Sequence, residues 1–590
     1  MPTREHLNHT FERFLSRIDE QDSEHQPGDM PLAQFAELIT PEHPLAYWSM
    51  EIYDDEENDI KGGGGLGVLA ADTRRQCEAL GIPQVVLTPF YTSSSHQELV
   101  DFWQRERIEP TDPNRLYRSL GQVPISTLAD RLISLDVYTR SLGSTRLITI
   151  TEPNFGELYP GSNSGDHRLY QEVALGFGGY KALQAQGIEA PFMQLNEAPT
   201  VFAAIARLDD LCNQGMPFEE AFAEAKRRLL YTNHTLVPAV EGKFGRAQFE
   251  HMVLPNINSH IVQEWVMDMF GETHELRLSA LAIELSGAKS GVSKLHARVS
   301  EFYDRRGERV AFNAVTNGIS NKWIQPETIG YLRGIEALDE FDLPADEDLV
   351  TLFDTKLNME VVRGLKRQGR HEMNRVLATR QDQYGNPIDI PDHSVVFDFK
   401  RRFANYKRPD LIFSDVDRLA KILEGQDAHF LLTGKPHPND APMKQELHRI
   451  LTLIDEHPVL RERVHYVQDY DEEVGRALAV GADCAINVPV VGEEACGTSW
   501  MKDIANFKLL VSTPDGGVAD VEPVECLEVS GDEQDALYTR MFEATQIVRD
   551  DAALRSEIVR ELGNYLPVIS GSRMMAEYLK LFRAMQRQTS

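Results

Sequence analysis

Three clusters in this chain combine residue types and spacings that could do chemistry, and all three suit an anion. The first is the run GGGGLG at 62–67, which opens the helical pattern VLAADTRRQCEAL. Glycines let the backbone turn sharply and approach an anion closely, and the first N–H groups of a helix then point at it. The run is neither GxGxxG nor GxxxxGK[ST], so by itself it reads equally well as a flexible loop. The second is KRRFANYKR at 400–408, five cations in nine residues, directly behind the apolar run SVVFDF. Arg and Lys at the carboxyl end of a strand suit a phosphate or another small anion; the other reading is a solvated basic face. The third is GEEACGTSWMKDIANFK at 492–508, where Gly, Thr and Ser at a helix start can take a second anion through amides and hydroxyls. Lys502 lies there among Trp500, Met501, Ile504 and Phe507. A partly buried lysine loses its charge readily and becomes a usable amine for a Schiff base, whereas an ordinary helical lysine is a solvated stem. Smaller signals are TNHT (232–235), GKPHPND (434–440) and QLNEAP (194–199); His234 could touch a sugar or simply be a satisfied loop histidine.

The elements that must position these clusters are legible as short apolar runs alternating with amphipathic helices. Strands are expected at 83–90, 146–151 and 192–195, with a helix over 169–187 and another behind NEAPT. In the second half strands are expected at 394–399, 429–434, 464–467, 484–488 and 508–512. Near-continuous apolar runs of this kind signal parallel sheets covered on both faces, and ligands of such sheets sit at the carboxyl ends of the strands. The boundary between the halves falls just after AVTNGI (314–319), and the tail from about 546 reads as helical.

Composition narrows the class. At 590 residues and 66.7 kDa, with 42% hydrophobic and 26% charged residues, the chain is long enough for two to four domains with an ample core. A net charge of −32 repels nucleic acid and anionic lipid wherever no basic patch intervenes. Five cysteines, never spaced as CxxC, exclude a disulfide scaffold and a thiolate metal cluster and suit the cytoplasm. No apolar run approaches the roughly 18 residues of a spanning helix, and the N-terminal segment MPTREHLNHTFERFLSRIDE is too polar for a signal peptide. No metal site is expected.

In order along the chain, AYWSMEI (46–52), GGLGVLAAD (64–72), QLNEAP, YTNHTLVP (231–238), SGVSKLH (290–296), TNGI (316–319), KRRFANYKR, GKPHP, EACGTSWMK (494–502) and STPDGG (512–517) resemble the α-glucan (glycogen, starch, maltodextrin) phosphorylases. The match is closest to the compact bacterial and archaeal members. The resemblance implies an α/β fold of GT-B type: two Rossmann-like doubly wound domains facing a cleft, residues 1–319 and 320–545, with C-terminal helices (546–590) crossing back. It implies retaining phosphorolysis of an α-1,4-glucan by orthophosphate to α-D-glucose 1-phosphate, in a cytoplasmic enzyme of a family that commonly forms homodimers. Lys502 matches the lysine that carries pyridoxal 5′-phosphate as a Schiff base. Gly64, Gly65, Arg401, Thr498 and Ser499 fall where the family binds the cofactor phosphate, and Arg402 and Lys407 where it grips the substrate phosphate. His234, Asn317, Tyr406, Glu494, Cys496 and Gly497 match its contacts to the terminal glucose, with the His234 carbonyl facing the developing positive charge.

The chain departs from the family pattern at three places. Cys496 stands where serine is usual, Pro199 stands where a histidine follows the asparagine–acid pair, and YDDEEND (53–59) is unusually acidic. Two rivals are weighed against the phosphorylase reading. A nucleotide-sugar glucan synthase would place a glutamate eight residues after Glu494, where this chain has Lys502. A non-catalytic glucan-binding relative would have no need of Lys502, Arg402, Lys407 and His234 together.

Overall fold

The computed structural model describes residues 4–21, 30–53, 65–127, 131–158, 165–236 and 241–586. The first half contains β1 (Leu45–Ser49), β2 (Gln84–Pro89), the hairpin β3 (Ser93–Val100) and β4 (Trp103–Pro110), β5 (Arg118–Thr127), β6 (Arg131–Leu142) and β7 (Thr145–Thr151). It continues with β8 (Met193–Asn196), β9 (Leu229–Asn233), a small pair β10 (Lys243–Gly245) and β11 (Glu275–Arg277), β12 (Ala288–Gly291) and β13 (Asn313–Ala314). Nine of these form one sheet in the order β13-β12-β9-β8-β1-β2-β7-β6-β5, parallel from β13 to β7 and antiparallel over β7-β6-β5. The second half holds β14 (Val395–Lys400), β15 (Ala428–Thr433), β16 (Val464–Tyr466), β17 (Cys484–Asn487), β18 (Leu509–Ser512) and β19 (Leu527–Glu528). These make a six-stranded parallel sheet in the order β16-β15-β14-β17-β18-β19. Two such sheets with helices around them are the GT-B plan.

The strands sit within a residue of the apolar runs because β1, β2, β8, β9, β14, β15, β17 and β18 are buried at every position. With both faces covered, apolar content marks the strand directly. The expected helix over 169–187 is present as Gly165–Val173, a wide turn Ala174–Gly178 and Gly179–Ala185. Gly176 in the wide turn backs onto Phe202, where a Cβ would stand 2.2 Å from the phenylalanine's Cβ.

Among the contacts that hold the halves face to face, two features stand out. Ile319 N–H donates to Ile569 O (3.0 Å) and Gly571 N–H to Ile319 O (3.1 Å), so the two chain crossings run side by side. Before this point the helix Asp551–Ile569 packs on the second sheet, its Glu561 accepting from Leu510 N (3.2 Å). After it, the helix Gly571–Ala584 joins the cluster of Phe14, Leu69, Phe192 and Leu230 in the first half. The second feature is the β3–β4 hairpin. Gln97 N–H donates to Asp469 Oδ1 (3.0 Å), Asp469 N–H donates to Gln97 Oε1 (3.0 Å), and Gln97 Nε2 donates to Tyr466 OH (2.7 Å).

Gly434, just past β15, sits at φ +106°, and a Cβ there would lie 1.9 Å from Arg401 O. Gly434→Ala therefore forces the loop that bears Arg401 to move. Its urea unfolding midpoint should fall by an amount equivalent to roughly 2–4 kcal/mol; a change within error would show that the loop yields freely.

Candidate active site

The carboxyl ends of both sheets open on one cleft of about 380 Å³. β14 ends at Lys400 and delivers Arg401 and Arg402 to its wall, and a tight turn over Asn405–Lys407 returns Tyr406 and Lys407 to the same wall. Arg408 closes that turn at φ +51°, its guanidinium donating to Val488 O (2.8 Å) and Pro489 O (3.0 Å) behind β17. Arg401 Nη2 and Lys407 Nζ both donate to Glu494 Oε2, each at 2.6 Å. Burial works to raise the Glu494 carboxyl, but Lys407 and Arg401 overcome it and hold the group down at about 2. The ionic contribution of Glu494 to stability is thus present above its ordinary value of 4.5 and is lost as pH falls towards 2. Gly497 lets this loop close: a Cβ there would stand 2.5 Å from Arg401 Nη2. Arg401 Nη1 is buried with no hydrogen-bond partner. Arg402, at the exposed rim, is close enough to His437 to add to the effect of burial in lowering that imidazole.

Thr498 and Ser499 line the cleft where the short helix Ser499–Ile504 begins, and Lys502 is carried on that helix. Lys502 is 6% exposed, with its Nζ 3.1 Å from the centre of the Trp323 ring. Burial pushes its amine down to about 8 against the opposing pull of Asp72 and Glu472. Asp72 is fixed by Trp323 Nε1 (2.8 and 2.9 Å), so one indole supports the ammonium on its face and a carboxylate at its edge. Gly65 opens the helix Gly65–Ala79 with nothing within 4 Å of the position a Cβ would take, and Gly67 packs tightly on Glu51 and Tyr53. Gly64 lies outside the described residues.

On the opposite wall, His234 follows β9. Its backbone N–H donates to Glu197 Oε1 (2.8 Å) and its Nε2 to Asn196 Oδ1 (2.7 Å); Asn196 in turn donates to Ser49 Oγ (3.1 Å). The ends of β1, β8 and β9 thereby aim one imidazole. Burial, aided by His296, drives that ring down to about 3, so it is neutral at any physiological pH. Asn317 donates to Cys496 O (3.1 Å), leaving its own buried Oδ1 without a partner. Burial lifts the Cys496 thiol out of the thiolate range.

All thirteen described candidate residues from the sequence line this cleft. Four further residues beside it carried no role in the sequence reading. Trp323 and Glu472 gave no sequence signal, Asp72 ends the GGLGVLAAD motif, and Glu197 lies in QLNEAP. Glu197 combines φ +76° with a carboxyl that burial raises to about 7 despite hydrogen bonds from Thr235, His234 and Ala198.

The model of the carbohydrate phosphorylase family matches residues 188–561. The chain belongs to that family. Among curated phosphorylases it is similar to the maltodextrin phosphorylase of Thermococcus litoralis, 26% identical over 569 residues that cover 86% of this chain and 66% of that protein. It is likewise similar to the glycogen phosphorylase of Mycobacterium tuberculosis, at 25% over 92% of this chain and 71% of that protein, and to that of Aquifex aeolicus, at 26% over 80% and 74%. The chain thus spans about two thirds of the length of the Thermococcus relative.

Glu494 is the counter-ion of both Arg401 and Lys407, two cations that line the cleft. Glu494→Gln leaves Arg401 and Lys407 without a carboxylate, so inorganic phosphate should bind the glucan-free protein about tenfold more tightly by titration calorimetry. An unchanged dissociation constant would mean that phosphate sits elsewhere.

Proposed function

We propose that the protein is an α-1,4-glucan phosphorylase that transfers a terminal glucosyl unit to orthophosphate with retention, giving α-D-glucose 1-phosphate. The observation that supports this reading is one cleft in which a buried lysine amine, Lys502, stands beside the cations Lys400, Arg401, Arg402 and Lys407. The residues fit pyridoxal 5′-phosphate: an amine brought down to about 8, and a guanidinium nitrogen of Arg401 with no protein partner. Lys502 would hold the cofactor, with Arg401, Gly64, Gly65, Thr498 and Ser499 around its phosphate. When bound, the cofactor supplies a phosphate able to exchange a proton with the substrate phosphate.

The chain's own residues do the rest. Arg402 and Lys407 bind orthophosphate and hold its negative charge where it can act on the glycosidic bond. Glu494, Asn317, Tyr406, Cys496 and Gly497 orient the terminal glucose, and the Oδ1 of Asn317 is a ready acceptor for a sugar hydroxyl. His234 stays neutral, so the positive charge that develops at the anomeric carbon meets its polar backbone without repulsion. Residues 1–319 and 320–545 act as the two jaws of the cleft. The five free cysteines suit a cytoplasmic setting, and the family habit favours a homodimer. No described helix is long and apolar enough to cross a membrane.

The deciding experiment is phosphate-dependent release of glucose 1-phosphate from maltodextrin, with borohydride reduction to map the modified lysine by mass. A phosphopyridoxyl group on Lys502 and phosphate-dependent product are expected. Lys407→Ala should lower kcat at least about 100-fold and raise KM for phosphate. A full-length protein that binds maltodextrin, takes no cofactor and releases no product would establish the glucan-binding relative instead.

A further inference from the structure

Beneath the cleft, Asp398, Lys400, Asp503 and Lys508 form a closed group of four charges, none with a side chain more than 3% exposed. Lys508 Nζ donates to Asp398 Oδ2 (2.7 Å) and Leu478 O (3.2 Å) and lies 2.6 Å from Asp503 Oδ1. Lys400 Nζ donates to Asp503 Oδ1 and lies 3.7 Å from Asp398 Oδ2. Asp398 Oδ1 has no partner at all. Two carboxylates in a dry interior need two cations, so the group is balanced only while both lysines are present.

The four do not share one location. Lys508, just ahead of β18, faces only the interior, whereas Lys400 also borders the cleft. Asp503 is the residue after Lys502 on the same short helix, and Lys400 is the residue before Arg401 on β14. The Lys400–Asp503 contact therefore ties the turn that carries the cleft amine to the strand that delivers the anion-binding arginines. We propose that Lys400 is a positioning residue for Lys502, fixing that turn through Asp503 and placing a second cation behind the amine.

The field at Lys502 has contributors from several elements packed on it. Asp72 and Arg75 come from the helix Gly65–Ala79, Glu472, itself paired with Lys322, from the helix Glu472–Gly481, and Lys400 from β14. Asp72 and Glu472 favour the ammonium; Lys400 and Arg75 oppose it. Losing Lys400 leaves the buried group one negative charge in excess, which favours the ammonium and slows any reaction that needs the free amine. Losing the Asp503 charge does the reverse. The biological use of this device rests on Lys502 being the cofactor lysine, as proposed above; the physical effect does not.

The test uses full-length protein stripped of cofactor and labelled with limiting acetic anhydride between pH 6 and 11, with the Lys502 peptide quantified by mass. Lys400→Met should raise the midpoint of Lys502 labelling by about one pH unit, Lys400→Arg should restore it, and Asp503→Asn should lower it. A purely structural role would depress the melting temperature of both charge-removing variants and leave the midpoint where it is in the unmodified chain. That result overturns the proposal. Should Lys400→Met fail to fold, an unchanged or raised midpoint in Asp503→Asn overturns it equally. Borohydride mapping of the cofactor on the unmodified chain tests the Lys502 assignment separately, because the labelling needs no cofactor.

Discussion

Cations cannot be gathered in a buried cleft without counter-charges, and this constraint shapes the whole site. Arg401 and Lys407 share Glu494, Lys502 is balanced by Asp72 and Glu472, and Lys400 is balanced by Asp503 and Asp398. Arg401, Lys407, Lys400 and Lys502 each face a carboxylate from another element. The carboxylates come from helices, a strand and a loop of both halves, so electrostatic balance and the alignment of the two sheets are one requirement. A shift of either sheet would strand a buried charge at a cost of several kcal/mol.

The sharing of Glu494 has a consequence for binding equilibria. Its Oε2 could not keep both ion pairs if anions bound Arg401 and Lys407, and a buried carboxylate stripped of both partners is expensive. The glucose hydroxyls that the family places against this residue would offer it replacement donors. Sugar and phosphate should therefore assist each other's binding without any movement of the fold, because each relieves the unpaired group that the other creates. The same logic is compatible with anion binding by a chain of net charge −32: the attraction would be local and dry, and the distant surface charge is screened by salt.

Much of this was legible in the sequence. The strands that carry site loops are buried on both faces, so runs such as SVVFDF and HFLLTG mark them almost to the residue. The glycine, basic and GTS segments were legible because anion chemistry draws on a narrow set of residue types. The β3–β4 hairpin was not: SSSHQELV and WQRERIEP are polar, and the residues that hold them, Asp469, Tyr466 and Gln468, lie more than 350 positions away. Glu472 likewise reads as the acidic first turn of any surface helix, and only the approach of Lys322 and Arg75 from the other elements buries it. Such contacts depend on chain topology, which local pattern does not encode.

The segment QLNEAP shows how far a motif can drift while keeping a task. With Pro199 in place of the expected histidine, that position has no imidazole to offer. The geometry that remains is stiff. Glu197 caps the turn Ala198–Thr200 by accepting from Ala198 N–H, Pro199 sits in the first turn where its fixed φ is already correct, and Glu197 itself is held at φ +76°. A non-glycine residue keeps such a conformation only when its surroundings over-determine it. Here they do: Glu197 Oε1 accepts from His234 N–H (2.8 Å) and Thr235 Oγ1 (3.0 Å), which fixes the loop bearing the cleft histidine. Glu197 does not line the cleft and can act on a sugar only through His234. The replacement of histidine by Pro199 thus leaves intact the support that Glu197 gives to the loop bearing His234.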